Sequence, residues 1–181
     1  MGFVAGSLAK ATLPHSCPNG GEFERRNGNL LMSMHGPAAV GLPYGSLPRL
    51  ILMHLCTEAV RTQQREIDLG NTLSEFMRRL DMQATGGERG SIRSLKDQMT
   101  RLFSSSISCR QVTPEVTTIK NMHIASTAEI WWTPHPPRQT SFKECKVHLG
   151  EEFFHSATSH AIPVDLRAIR ALRQSPLALD I

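Results

Sequence analysis

The stretch "GGERGSIRSLKDQMTRLF", residues 86–103, sets two glycines, an acid–base pair and a third glycine directly before an amphipathic run. Glycines at a helix start suit two tasks. They let backbone N–H groups cradle a phosphate, or they turn the chain sharply so that the next helix points at a partner. A P-loop needs a preceding strand and a Lys-Ser/Thr ending, because the lysine reaches the phosphates and the hydroxyl holds magnesium. Here a helical pattern leads in, and "GS" stands where "GKS" is required. A dinucleotide fingerprint fails as well, since no strand leads in and the glycine spacing is wrong. The glycines read as the corner of a helix–turn–helix.

The run after the corner predicts a helix over about 91–105. Ile92, Leu95, Met99, Leu102 and Phe103 form its apolar stripe. Arg93, Asp97, Thr100 and Arg101 cover the opposite face, with Ser94 and Gln98 beside them. Arg, Ser, Thr and Gln are the side chains that reach phosphates and base edges. A plain solvated face is the alternative reading of the same pattern. The charge favours the first: residues 86–113 carry five cations against two carboxylates, whereas residues 49–81 hold five arginines against five acids. The whole chain, 181 residues with net charge +4, is by itself weak evidence of a polyanion partner.

Several elements must position this helix. "SLPRLILMHLCTEAVRTQ" is apolar almost all round before Arg61, the pattern of a central buried helix, with the Ser46 hydroxyl as its expected cap. "REIDLG" reads as a short strand ended by Gly70. Thr72 and Glu75 form a capping box ahead of a helix whose Leu73, Phe76, Met77 and Leu80 share one face. A capped short helix, a glycine turn and a basic amphipathic helix follow in helix-turn-helix order. Downstream, "SISCRQVT", "HIASTAEIWWT" and "KECKVHL" read as strands, the second with Ile124, Ser126, Ala128, Ile130 and Trp132 on one face. The proline-rich loop "PHPPRQTS" between the last two reads as a wing with Arg138 at its tip, or as an ordinary surface hairpin. Together these predict an α+β, winged-helix fold.

Residues 1–44 are rich in Gly, Pro, Asn and Ser and read as an N-terminal arm with one strand at 29–34. Residues 45–160 make up the winged-helix domain. Residues 161–181 begin a second, truncated winged-helix module, with a helix over 164–173, Arg167, Arg170 and Arg173 in line on it, and a helix start at Ser175-Pro176.

Other chemistry finds little support. A hydrophobic content of 40% and a charged content of 20% read as soluble and globular. No run approaches the ~18 apolar residues of a membrane helix, and residues 1–11 lack the basic and apolar regions of a secretory signal. Four scattered cysteines without a CxxC pair fit reduced thiols in a cytoplasm. His15 with Cys17, Cys145 with His148, and His155 with His160 supply no complete ligand set, so no metal or other cofactor is expected. Ser104-Ser105-Ser106 has no nucleophile elbow, Cys56 reads as core, and no enzyme is indicated. Trp131-Trp132 fits core or interface packing better than base stacking.

The segment "GLPYGSLPRLILMHLCTEAVRTQQREIDLGNTLSEFMRRLDMQATGGERGSIRSLKDQMTRLFSSSISC" closely resembles plasmid-encoded RepA-type replication initiators of Gram-negative bacteria. The resemblance extends through "TLPHSCPNGGEFERRNGNLLMSM", "HLGEEFFHSA" and "IPVDLRAIRALRQSPLALDI", covering about residues 11–181. "PYGSxPRL", "TEAVRTQ" and "TGGxxGxIxxLKxQMxRLF" are its most specific patterns. It implies a cytoplasmic bacterial winged-helix protein that binds repeated origin sequences in duplex DNA, opens the duplex and helps recruit the host replicative helicase. Arg89, Arg93, Lys96, Thr100 and Arg101 are then the candidate DNA contacts on the helix, and Arg138 the one on the wing. Relatives continue past "SPLALDI" into a second module. An autorepressor or replication competitor without initiator activity is the alternative, and a protein–protein module for homodimerisation or docking is another. DNA affinity that falls steeply with salt separates binding from docking, and origin unwinding separates initiation from repression.

Overall fold

In a computed structural model, residues 1–10, 12–87, 90–130 and 145–180 are described. In chain order they form β1 (Gly2–Ala5), α1 (Gly6–Lys10), β2 (Glu22–Asn27), β3 (Leu30–His35), α2 (Ser46–Thr62), β4 (Glu66–Gly70), α3 (Leu73–Arg79) and α4 (Ser91–Ser104). Then follow β5 (Ser106–Val112), β6 (Thr117–His123), β7 (Ala125–Glu129), β8 (Cys145–Leu149), α5 (Glu151–Ser159), β9 (Ala161–Val164), α6 (Leu166–Leu172) and a 3₁₀ turn at Ala178–Asp180. The fold is mixed α/β, with antiparallel sheets throughout the described residues.

α2 is the centre. Ile51, Leu55, Cys56 and Ala59 are fully buried along it, and it packs against β1, α4 and α5. Burial pushes the Cys56 thiol up to about 12, so the group behaves as a small apolar core side chain. The expected Ser46 cap is not formed: the helix begins at Ser46 itself, and Gly45 occupies the cap position at φ 80 without a side-chain bond. Thr72 does cap α3, its hydroxyl accepting from the Glu75 N–H at 3.1 Å. The Glu75 carboxylate reaches back to the Asn71 N–H at 2.9 Å, one residue earlier than the ideal box.

Beside α2, α3 and α4 lies a three-stranded sheet in the order β4-β8-β7. Its inner residues Ile67, Leu69, Val147 and Leu149 are buried. The simple alternation expected for the 123–133 stretch is broken, because the register shifts between Ala125 and Thr127. Ser126 is therefore exposed, and its hydroxyl donates to the His148 carbonyl at 3.1 Å. Residues 131–144, with Trp131-Trp132 and the loop carrying Arg138, lie outside the described residues.

A four-stranded sheet, β2-β3-β5-β6, joins the β2–β3 hairpin, which precedes α2, to the β5–β6 hairpin, which lies between α4 and β7. Met32, Met34, Ile107, Cys109 and Met122 line its buried side. β1 pairs with β9, from Gly2 opposite Val164 to Ala5 opposite Ala161. The segment 1–44 thus carries three strands and a short helix, where one strand at 29–34 was expected.

Candidate nucleic-acid interface

The corner before α4 is built from three unlike glycines. Gly87 sits at φ +90, the left-handed region that costs other residues energy, with open space around it. Gly90 has an ordinary φ of −72, but a Cβ there would strike the carbonyl oxygens of Thr85 and Gly86. Gly86 meets neither constraint. Thr85 and Ser91 staple the turn: the Ser91 N–H donates to the Thr85 hydroxyl at 3.0 Å, and the Thr85 N–H donates to the Ser91 hydroxyl at 2.8 Å. The Ser91 hydroxyl in turn donates to the Gln83 carbonyl.

α4 follows the expected stripe on its inner side. Leu95, Met99 and Leu102 are fully buried, and Ile92 and Phe103 pack against the same core. Gln98, placed by sequence near the polar face, is buried instead: its side-chain oxygen accepts from the Tyr44 N–H at 2.9 Å. On the outer side Arg93, Ser94 and Asp97 are exposed. Among the described residues Arg93 has no ion pair or hydrogen bond. Lys96 and Thr100 are half-buried, and the Thr100 hydroxyl donates to the Lys96 carbonyl at 2.9 Å.

Arg101 is held inward. Its Nε donates to Asp97 at 2.8 Å, its guanidinium lies 5.6 Å from the centre of the Tyr44 ring, and it reaches the Leu42 carbonyl. Gly41, at φ +80, leaves the room this guanidinium occupies. Arg93, Lys96, Thr100 and Arg101 therefore share one helix, with one arginine outward and one turned in. Arg89 and Arg138 lie outside the described residues.

Sequence reasoning missed a charged seam behind this face. Arg49 is buried in α2, and all five of its donors are used. Nε and one Nη bind the Asp180 carboxylate, each at 2.7 Å, and the remaining donors go to the carbonyls of Leu13, Pro14 and Gly45. His15 also meets Asp180, at 2.7 Å. Burial pushes the Asp180 carboxyl up, but the bonds from Arg49 and His15 outweigh it and hold the group below its ordinary 3.8. The signal was present: an arginine in the first turn of an otherwise apolar helix requires a partner.

A cleft of about 500 Å³ opens between α2, α3 and α6. Its arginines are committed: Arg61 to Glu58, Arg79 to Asp68 and Glu75, and Arg170 and Arg173 to the carboxylate and the carbonyl of Asp81. His54 lines it edge-on to Phe76, and burial lowers its pKa. No group of three or more His, Cys, Asp or Glu among the described residues is placed to hold a metal ion. No helix among them is long and apolar enough to cross a membrane.

The arrangement of helices and antiparallel sheets is shared with two solved structures of domains 2 and 3 of RctB. One superposes with a TM-score of 0.57 at 8% identity, over 94% of this chain and 70% of the other. The second gives 0.55 at 10% identity, over 84% and 58%. At such identities the likeness is one of fold. No curated protein sequence matches the chain. Residues 42–181 match the family model described as plasmid-encoded RepA protein, and the chain belongs to that family.

Proposed function

We propose that the protein is a plasmid replication initiator that binds repeated origin sequences in duplex DNA through α4, with no covalent chemistry of its own. The observation that carries this reading is the outward, unpartnered Arg93 on a helix fixed by the Thr85–Ser91 staple and by buried Leu95, Met99 and Leu102. A rigid helix that presents an uncommitted guanidinium suits a base edge or a phosphate. Family membership supports the replication role.

The same reading treats α2, β4, α3, α4 and the β7–β8 pair as a winged helix. The order helix, strand, helix, helix, two strands supports it, as does the β4-β8-β7 sheet. Arg138 as a DNA contact of the wing belongs to the same proposal. Recruitment of the host replicative helicase, self-association and the start of a second module after residue 160 belong to the same proposal. Footprinting on the plasmid's own origin is the test. Protection of repeated sites by the wild-type chain, lost or relaxed at one base position in R93A, is the expected result. No protection by the wild type would overturn the reading. Origin opening in the same assay selects initiation over repression.

A further inference from the structure

We propose that one end of the four-stranded sheet is a second DNA-backbone site, separate from α4. The proposal rests on the duplex-binding reading above.

Pairing of the strands brings cations together there. Arg26, Leu31, Arg110 and Ile119 stand opposite one another across β2, β3, β5 and β6. Residues directly opposite in an antiparallel sheet share a face, so Arg26 and Arg110 project on one side about 10 Å apart, two strand spacings. The next row is Arg25, Met32, Cys109 and Lys120, on the other face. Lys120 lines a recess of about 200 Å³ between this sheet and α5, together with Lys10, His155 and His160. The two imidazoles are 6.4 Å apart, and Thr118, Ser156 and Gln111 add hydrogen-bonding groups to the walls. Lys10 is tied to the site by its carbonyl, which accepts from the Asn27 amide at 2.7 Å.

What separates this surface from the Arg49 seam and from the cleft between α2, α3 and α6 is the state of its charges. The arginines of α2 and α3 described above are paired with carboxylates. Among the described residues Lys10, Arg26, Arg110 and Lys120 have no ion pair, and Arg25 only lies over the Phe23 ring. Of the acids of β2, Glu24 stands two residues from Arg26 on the same face and accepts from the Ser33 hydroxyl, and Glu22, at the far end, lies 3.7 Å from His35. Glu152 is the carboxylate that lines the recess. Exposed cations interleaved with hydroxyl and amide groups form the contact set used for phosphates. Two faces of one sheet end bearing such groups suit an extended polyanion better than a small anion.

The test measures affinity of the full chain for origin duplex at several salt concentrations. Each phosphate contact contributes about 0.9 to the slope of log affinity against log salt. K10Q/K120Q and R26Q/R110Q should each lower the slope by about 2, with the footprint unchanged in position. Between 50 and 200 mM salt each variant should then lose about tenfold less affinity than the wild type. E152Q removes the opposing charge and should raise affinity about threefold, a gain that misfolding cannot produce. Wild-type slopes in both double variants, with no gain in E152Q, would overturn this site while leaving α4 standing. A wild-type chain that binds no duplex would overturn both. Inorganic phosphate provides the other arm: if it raises the unfolding temperature of the wild type but not of K10Q/K120Q, and the DNA slopes do not change, the recess is a free-anion site and the DNA assignment falls.

Discussion

At the seam between α2 and the C-terminal 3₁₀ turn, Arg49 turns all its donors inward, to Asp180 and to the carbonyls of Leu13, Pro14 and Gly45. On the outer face of α4, Arg93 turns none inward among the described residues. Both are arginines on long helices of one body. Position relative to the core decides which acts on folding and which is left to meet a partner. A guanidinium inside has exchanged water for fixed acceptors and cannot lose them cheaply, whereas one outside keeps its donors for a ligand. The two regions should therefore respond to mutation in different assays.

The largest effect is expected at the seam. R49A removes the guanidinium from the Asp180 carboxylate and from three carbonyls, leaving His15 as the cation beside Asp180, and breaking a buried pair from one side costs about 3–5 kcal/mol. Urea unfolding should show this loss, with DNA binding by the surviving folded fraction unaltered. The seam also predicts a pH response. The folded Asp180 carboxyl lies below its ordinary 3.8, so its stabilisation is complete above that value and fades as pH falls through the folded pKa. D180N should flatten the acid limb of stability against pH. An unchanged acid limb would mean that Asp180 is not held by Arg49 in solution.

The next effect is expected at the corner that aims Arg93. G90A drives a Cβ into two backbone carbonyls, an overpacking that costs about 1–3 kcal/mol. G87A places alanine at φ +90 in open space, for about 1–2 kcal/mol. G86A should be near neutral. The order of urea midpoints should be G86A highest and G90A lowest, and a different order would show that the turn is not the one described.

These glycines also show how far the sequence was legible. Their corner role and the helix at 91–105 followed from spacing, because a local turn and a 3.6-residue stripe are encoded locally. α3 and its Thr72 cap were legible for the same reason, as were β4, β5 and the core of β8. Which glycine bears which constraint was not legible, since the limit on Gly90 comes from carbonyls that only the folded turn brings near. The four-stranded sheet was missed in part because β2 reads "EFERRN" and β6 is exposed except at Met122, so neither shows a clean apolar alternation. Arg49 with Asp180 was missed because the partners are 131 residues apart. Of the candidate site, Arg93 stands outward as the helical wheel implied, while Gln98 and Arg101 are turned in by Tyr44 and Asp97.

At the outer face, R93A should leave unfolding within about 0.5 kcal/mol of the wild type, as an exposed substitution without partners does. It should instead cost about 1–3 kcal/mol of DNA affinity with relaxed specificity at one base position if Arg93 reads a guanine, or reduce the salt slope by about 1 if it meets a phosphate. Unchanged affinity in a folded R93A would remove α4 from the interface and erase the contrast with the seam.

Arg101 belongs to neither region cleanly and gives the smallest and most discriminating effect. Its side chain is 21% exposed, its ion pair with Asp97 spans one helical turn, and it lies over Tyr44. An exposed i,i+4 pair contributes about 0.3–0.5 kcal/mol, and the cation–π contact about 0.5–1. R101A should therefore lower unfolding stability by about 1 kcal/mol. In the bound state the same guanidinium has two options. If it stays on Asp97 and Tyr44, R101A leaves the DNA salt slope of the folded protein unchanged, and Arg101 sides with Arg49. If it swings out to a phosphate, the slope falls by about 1. In that case D97A, which frees the guanidinium and removes a like charge from the DNA-facing side, should tighten binding. Opposite responses of R101A and D97A in DNA affinity would place Arg101 at the interface. A stability loss in R101A with neither DNA response would place it in the frame that holds α4.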